Sequence, residues 1–378
     1  MSILLVDDEV DSLNHLKEIL VSEGYLDTVN LNSSTALLEY LNFTDQAKHV
    51  DLILLDIVLS EIDGIETVKR IKNQPHLNSI PIIFIAAFED KNKLAEVLNI
   101  GGDDYISKPF NQEELLARIR VALRLKKELD WHIEYDKKIN QELVLAASIQ
   151  RSLLSAPVQN NEIKISAAYK PSYNLAGDMY YWQKKSDHSY TIVLFDMMGK
   201  GISAALVCMF ISSIFRETIT NIDDPIIVIE KMNQYMALLN TQKDAIPFYF
   251  TGIYLTVDTA THTIEYVNAG HPSFYVKIDN QEAFPVMSNT TAIGFFNDIV
   301  VTKNIIHYEE YFQIILFTDG VFEAVDSNDL VIEEKIQLAC DRIWPITTNL
   351  FDEILTPEQQ NHHDDDMCII LIQSAKRP

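Results

Sequence analysis

Cysteine is scarce: Cys208, Cys340 and Cys368 are the only three in 378 residues, and no two form a C-x-x-C pair. Neither a disulfide framework nor a zinc ribbon is suggested, and a reducing, cytoplasmic setting is expected. Basic residues are few as well, 30 Lys and Arg against 55 Asp and Glu, for a formal charge of −25. Phosphate backbones and anionic bilayers need clustered cations, so neither a nucleic acid nor a membrane partner is expected. Long apolar runs are missing. Ile3–Val6 is far short of a signal-peptide core, and nothing approaches the roughly 18 uninterrupted apolar residues of a membrane span. What is present is a 47% apolar composition and enough chain for two or three domains.

The first 110 residues alternate short apolar runs with amphipathic stretches. Ile3–Val6, Leu52–Leu55, Ile82–Ala86 and Tyr105–Ser107 read as strands, and segments near Leu13–Ser22 and Leu94–Leu98 as helices. That rhythm predicts a parallel sheet covered on both faces, with function at the carboxyl ends of its strands. Those ends carry Asp7 and Asp8, then Asp56, then Ala86 and Ala87, then Lys108-Pro109. Carboxylates so placed suit a hard cation such as Mg²⁺, and the lysine suits a phosphoryl oxygen. Transfer of a phosphoryl group onto Asp56 is the chemistry they allow.

Residues 111–154 contain no proline or glycine and are rich in good helix formers. A register through Leu115, Ile119, Ala122, Leu129, Ile133, Leu143, Ala147 and Leu154 is interrupted by Lys126, Asp136, Asn140 and Gln150. It fits one long helix that dimerises as an imperfect coiled coil, or two helices broken near Asp136. Pro157 and the polar 159–161 mark a boundary.

Beyond it, strand-like runs at Tyr190–Phe195, Phe250–Val257, Thr263–Val267, Phe274–Ile278, Gln313–Phe317 and Met367–Ile372 surround two helical stretches, Ala204–Thr220 and Pro225–Asn240. Strands with segregated helices predict an α+β domain with antiparallel sheets. Asp178 in "NLAGDMYYW", Asp196 in "VLFDMMGKG", Asp319 in "LFTDGVF" and the triplet of "HHDDDMCIILI" each border a β-like run, three of them with glycine in the same motif. Singly these are ordinary acidic turns. Together they could meet around Mg²⁺ or Mn²⁺, which would make their crowding tolerable and direct a water at a phosphate ester.

"ILLVDDEV", "LILLDIVLSEIDG", "IPIIFIAAFED" and "GGDDYISKPF" resemble the receiver domain of bacterial two-component response regulators, over about residues 1–122. The resemblance implies a doubly wound five-stranded parallel sheet, and a cognate histidine kinase that phosphorylates Asp56. It further implies Mg²⁺ held by Asp7, Asp8 and the Val58 carbonyl, and Lys108 on the phosphoryl group. Two positions depart from the pattern. Ser60 replaces a usual proline. Ala86 replaces the Ser or Thr whose hydroxyl works with an inward-turning aromatic, here Tyr105, so the switch is expected to be incomplete.

From "IQRSLLSAP" through "YKPSYNLAGDMYYW", "LFDMMGKGISAAL", "YVNAGHPSFY" and "LFTDGVFEAVDSN" to "DDDMCIILI", the chain resembles the PPM (protein phosphatase 2C-like) serine/threonine phosphatases, in their bacterial sporulation and stress-response branch. That implies two antiparallel sheets flanked by helices and two Mn²⁺ or Mg²⁺ ions. Asp196 would bridge them, Asp178 and the Met197 carbonyl would hold one, and Asp319 and Asp365 the other. Ala176 stands where a glycine is usual. Lys200 stands where histidine is common, and either steers a substrate phosphate or sits in solvent. His271 is expected to shape its loop.

The expected organisation is a receiver over 1–122, a helical linker over 123–155 that pairs two copies, and a phosphatase over 156–378. The substrate implied by the branch is phosphoserine or phosphothreonine on a STAS-type anti-sigma-factor antagonist. The rival reading is a phosphatase-like adaptor that binds a sigma-factor regulator without catalysis.

Overall fold

The computed structural model describes residues 1–43, 47–59, 64–86, 98–241, 247–324, 329–342, 349–361 and 364–375. Ser60, Ala87, most of the Leu94–Leu98 segment, and His362 and His363 lie outside them. The chain forms two compact units, Met1–Asn140 and Gln141–Pro378.

In the first unit, β1 (Ser2–Val6), β2 (Asp27–Leu31), β3 (Val50–Asp56), β4 (Ile82–Ala86) and β5 (Asp104–Ser107) form one parallel sheet in the order β2-β1-β3-β4-β5. Alternation sorts each strand between two cores. Leu4, Val6, Ile53, Leu55 and Phe84 join α2 (Ser34–Asn42) and α3 (Gly64–Lys72) on one face. Ile3, Leu5, Leu52, Leu54 and Ile85 join α1 (Val10–Ser22) on the other. Burial on both faces is why these strands read as unbroken apolar runs. β2, an edge strand reading DTVNL and partly exposed, was not among the predicted strands.

α4 (Gln112–Ser152) is one unbroken helix, with no interruption at Asp136. Its apolar register serves three environments. Leu115, Ile119, Ala122 and Leu123 lie in the first unit's core. Ala147, with Leu143 beside it, packs against Leu175 and Ala205. Leu129 and Ile133 between them are 50% and 56% exposed. Leu123 in that core, and Lys126 donating to Ser79 and Asp130, carry the first unit past residue 122.

The second unit pairs two antiparallel sheets. One runs β14 (Asn304–His307), β11 (Thr263–Ala269), β10 (Phe250–Asp258), β9 (Ser189–Met197), β8 (Asp178–Lys184). The other runs β13 (Phe284–Val286), β12 (Phe274–Ile278), β15 (Phe312–Phe317), β16 (Met367–Ser374), β7 (Ile163–Lys170), β6 (Val158–Gln159). Ile192, Leu194 and Leu255 meet Ile314, Leu316 and Ile370 between them. α5 (Gly201–Asn221) and α6 (Pro225–Leu239) cover the first sheet. The short α7 (Gly320–Glu323) follows β15, and α8 (Asp329–Asp341) and α9 (Leu350–Ile354) cover the second sheet. α5 is long and apolar enough to cross a membrane by length and composition, but its Cys208, Ile211, Phe215 and Ile219 are buried on the sheet.

Candidate active site

Each sheet of the second unit brings a pair of acids to its end. Asp178 opens β8 and stands opposite Asp196 in β9. Asp319 follows β15, Asp365 precedes β16, and those strands are neighbours. Thr318 joins the two pairs: its buried hydroxyl donates to Asp178 Oδ2 at 2.7 Å and accepts from the Cys368 amide at 2.9 Å. Asp196 lies close enough to Asp178, Asp319 and Asp365 for their charges to act on one another.

The crowding shows in the protonation equilibria. Burial, then the Asp196 charge, pushes Asp178 well above the usual carboxylate range. Burial, then Asp319 and Asp365, does the same to Asp196. Asp319, the member open to solvent, is raised by partial desolvation and by Asp365.

The terminal triplet divides into three roles. Asp364 offers its carbonyl to Lys200 Nζ at 2.9 Å. Asp365 pairs with the same ammonium at 3.0 Å, with Glu323 at 3.8 Å. Asp366 is buried and accepts from the Ser172 amide (2.7 Å), the Ser172 hydroxyl (2.9 Å) and the Gly177 amide (2.7 Å), which fastens the loop before Asp178. Lys200 is thus ion-paired to the acidic cluster while remaining exposed. Ala176 adopts a negative φ, since among the described residues only His262 and Asp279 are non-glycine positions with positive φ. Gly177 is required for close approach: a Cβ there would lie 3.0 Å from the Met197 carbonyl.

The donor set suits a hard divalent cation, being carboxylates with one backbone carbonyl beside them. Among the described residues no three acids are already drawn together at cation-binding distance. Like charges this near one another also hold other partners, Asp178 the Thr318 hydroxyl and Asp365 the Lys200 ammonium.

His271 is fully buried. Its Nε2 donates to the Phe317 carbonyl at 3.0 Å and its Nδ1 accepts from Thr251 at 2.7 Å, while burial lowers its pKa to about 4. Thr251 stands opposite Asp196, so this neutral imidazole ties the two acid-bearing sheets together.

In the first unit, Lys108 Nζ donates to Asp7 Oδ2 at 2.9 Å and Asp56 Oδ2 at 2.5 Å. The Val58 amide holds Asp56 Oδ1 at 2.8 Å, and Ser12 and the Glu9 amide hold Asp7. Burial raises Asp56 despite Lys108, whereas the donors around Asp7 outweigh its burial and lower it. Asp8 and Val58 are exposed beside them. Ala86 is buried and brings no hydroxyl; its carbonyl accepts from the Lys108 amide at 2.8 Å. Tyr105 is half-buried under the Arg118 guanidinium, 5.8 Å from its ring centre.

Comparison with known proteins follows the same division. Residues 3–120 match the response regulator receiver domain, and residues 186–374 match Stage II sporulation protein E (SpoIIE). The chain belongs to the SpoIIE family. It is 32% identical over 242 residues to the phosphoserine phosphatase RsbP of Bacillus subtilis, an alignment covering 63% of this chain and 59% of RsbP. To the phosphoserine phosphatase RsbU of the same organism it is 27% identical over 243 residues, covering 62% and 71%. The SiaA-PP2C domain of Pseudomonas aeruginosa superposes with a TM-score of 0.53 at 21% identity, over 63% of this chain and 97% of that one, and so shares the fold.

For this SpoIIE-family chain, reading the residues alone missed three supports of the site. Thr318 lies in "LFTDGVF", where the neighbouring Asp319 carries the recognisable chemistry. Asp366 looked like one more acid of the triplet. Gln150 was read as a flaw in the helix register, yet it is 2% exposed and bonded at both ends of its amide to Ala176.

Proposed function

We propose that this SpoIIE-family chain is a response regulator whose output is metal-dependent hydrolysis of phosphoserine or phosphothreonine on a protein, a STAS-type anti-sigma-factor antagonist. What supports this reading is that two strand pairs from two sheets each carry two acids at one end, Asp178 opposite Asp196 and Asp319 beside Asp365, with charges that act on one another. Asp196 would be shared by two Mn²⁺ or Mg²⁺ ions, with Asp178 and the Met197 carbonyl on one and Asp319 and Asp365 on the other. Bound there, the ions supply an acidified water and positive charge against the phosphoryl oxygens. The protein's part is placement. Thr318 fixes the Asp178 carboxylate, Asp366 fixes the backbone before it, and Lys200 keeps a positive charge at the cleft.

The receiver over 1–122 would take its phosphoryl group from a histidine kinase onto Asp56. Lys108 would neutralise the group, and Asp7, Asp8 and the Val58 carbonyl would hold Mg²⁺. Without a hydroxyl at Ala86 the change would reach Tyr105 weakly. Between this domain and the phosphatase over 156–378, the exposed Leu129 and Ile133 of the 123–155 linker offer a contact for a second copy. The setting would be the cytoplasm.

The test uses the full chain with p-nitrophenyl phosphate and with a phosphorylated STAS protein, in Mn²⁺. Turnover that chelator abolishes, and that Asp178→Asn lowers at least about a hundredfold, is expected. No turnover on either substrate would favour the adaptor.

A further inference from the structure

The last turn of the linker helix and the segment after it are stapled by the same device at two places, one just before β8 and one within it. Gln150, in the final turn of α4, donates from Nε2 to the Ala176 carbonyl at 2.7 Å and accepts from the Ala176 amide at 3.1 Å. Three residues past the helix, Ser155 Oγ accepts from the Trp182 amide at 2.9 Å and donates to its carbonyl at 3.2 Å. One staple lies two residues before Asp178, the other four residues after it.

We propose that Gln150 is a positioning residue for Asp178, which makes the last turn of the linker helix a working part of the acid cluster. Ala176 is fully buried, so the bonds from Gln150 are not replaced by water when they are lost. The next two residues are held equally tightly, Gly177 by Asp366 and Asp178 by Thr318. Three consecutive residues, each tied to a different element, leave the Asp178 carboxylate one position. Helix packing alone does not supply this: Ala147 and Leu143 touch Leu175, but an apolar contact does not fix the orientation of a peptide plane. The polar amide at an otherwise apolar register position therefore has a specific task. Any movement of that turn is delivered to the residue two before a metal-ligand candidate.

The inference rests on the phosphatase reading, and the experiment separates the two. Gln150→Met keeps the volume and removes both bonds; Ser155→Ala removes the equivalent pair at the far staple and serves as the stability control. In the full chain, Mn²⁺ affinity is measured by calorimetry, and hydrogen exchange of the 171–180 segment is measured without metal. Gln150→Met is expected to weaken Mn²⁺ binding about tenfold and speed exchange at the Ala176 and Gly177 amides about tenfold. Ser155→Ala is expected to change Mn²⁺ affinity less than about twofold. Rescue in Gln150→Asn is not expected, because the shorter amide cannot span the same gap. Wild-type chain that binds no Mn²⁺ would overturn the phosphatase reading. Equal affinity and equal exchange in wild type and Gln150→Met, or an equal loss of affinity in Ser155→Ala, would overturn the role of Gln150 alone.

Discussion

Thr318 provides a sharp test, because two sound arguments about it give opposite answers. It is fully buried between the sheets, where apolar residues dominate. If its methyl is what counts, valine should replace it better than serine. Its hydroxyl, though, donates to Asp178 at 2.7 Å and accepts from Cys368 at 2.9 Å. A hydrogen bond contributes about 0.5–1.5 kcal/mol, and up to about 3 kcal/mol when its acceptor is charged, and leaving a buried amide unmade costs about 1–3 kcal/mol. The two share one atom and do not add fully, so Thr318→Val should destabilise this region by about 3 kcal/mol. Thr318→Ser keeps both bonds and loses one buried methyl, about 1 kcal/mol. Serine should therefore exceed valine by about 2 kcal/mol, against the hydrophobic order. Because the chain has two units, a global unfolding midpoint would mix their transitions. Urea unfolding followed by hydrogen exchange in the β15 and β16 segments isolates the relevant one. A Thr318→Val chain as stable there as Thr318→Ser would refute the hydrogen-bond account.

Three further outcomes are expected. His271 is held neutral with a pKa near 4, against 6.5 in the unfolded chain. Between those values the unfolded state binds a proton that the folded state refuses, so stability present above pH 6.5 is lost as pH falls toward 4, by about 3 kcal/mol. The stability difference between wild type and His271→Gln, followed by urea titration across that range, should shrink with acidification; a constant difference would contradict the neutral imidazole. Lys200→Met removes a partly exposed ion pair, so stability should change by less than about 1 kcal/mol. Mn²⁺ affinity should rise severalfold as Asp365 is released, and a fall on calorimetry would show that the lysine assists the ion instead. Ala86→Thr places a hydroxyl near Asp56, the proposed phosphoacceptor, and should enlarge the effect of beryllofluoride on phosphatase rate about five- to tenfold; an unchanged response would mean that the signal takes a route without this position.

The parts of this fold that could be read in advance are those whose neighbours impose a pattern on them. β1, β3 and β4 are sandwiched between helices and announce themselves as apolar runs, and the strands β9, β10, β15 and β16 do the same from the middle of their sheets. β2 and β8 lie at edges, and β7 lies next to the edge strand β6; half-exposed sequences such as DTVNL and IKISAAYK dilute the alternation below recognition. The acids of the candidate site were visible because several strand ends of one domain carry them, where any one alone would be an ordinary acidic turn. The family resemblance singles out Asp365 among Asp364, Asp365 and Asp366, but the residues alone do not, since their separate partners, Lys200, Ser172 and Gly177, stand far along the chain.

Gln150 shows a deeper limit. Its partner is a peptide group, and a peptide group is the same whatever side chain it carries. Had the amide bonded an arginine or an aspartate, a complementary residue would have stood somewhere in the sequence to suggest the pair. Ala176, 26 positions away, offers nothing of the kind, although its backbone N–H and C=O are what Gln150 holds. What the sequence does show is a polar residue where the helix register calls for an apolar one, as it does at Lys126, which is likewise almost buried and likewise bonded. In a long helix that joins two domains, such an interruption is better read as a point of attachment than as a weakness in a coiled coil. The cost of burying an amide or an ammonium is too large to be borne at a position with no partner.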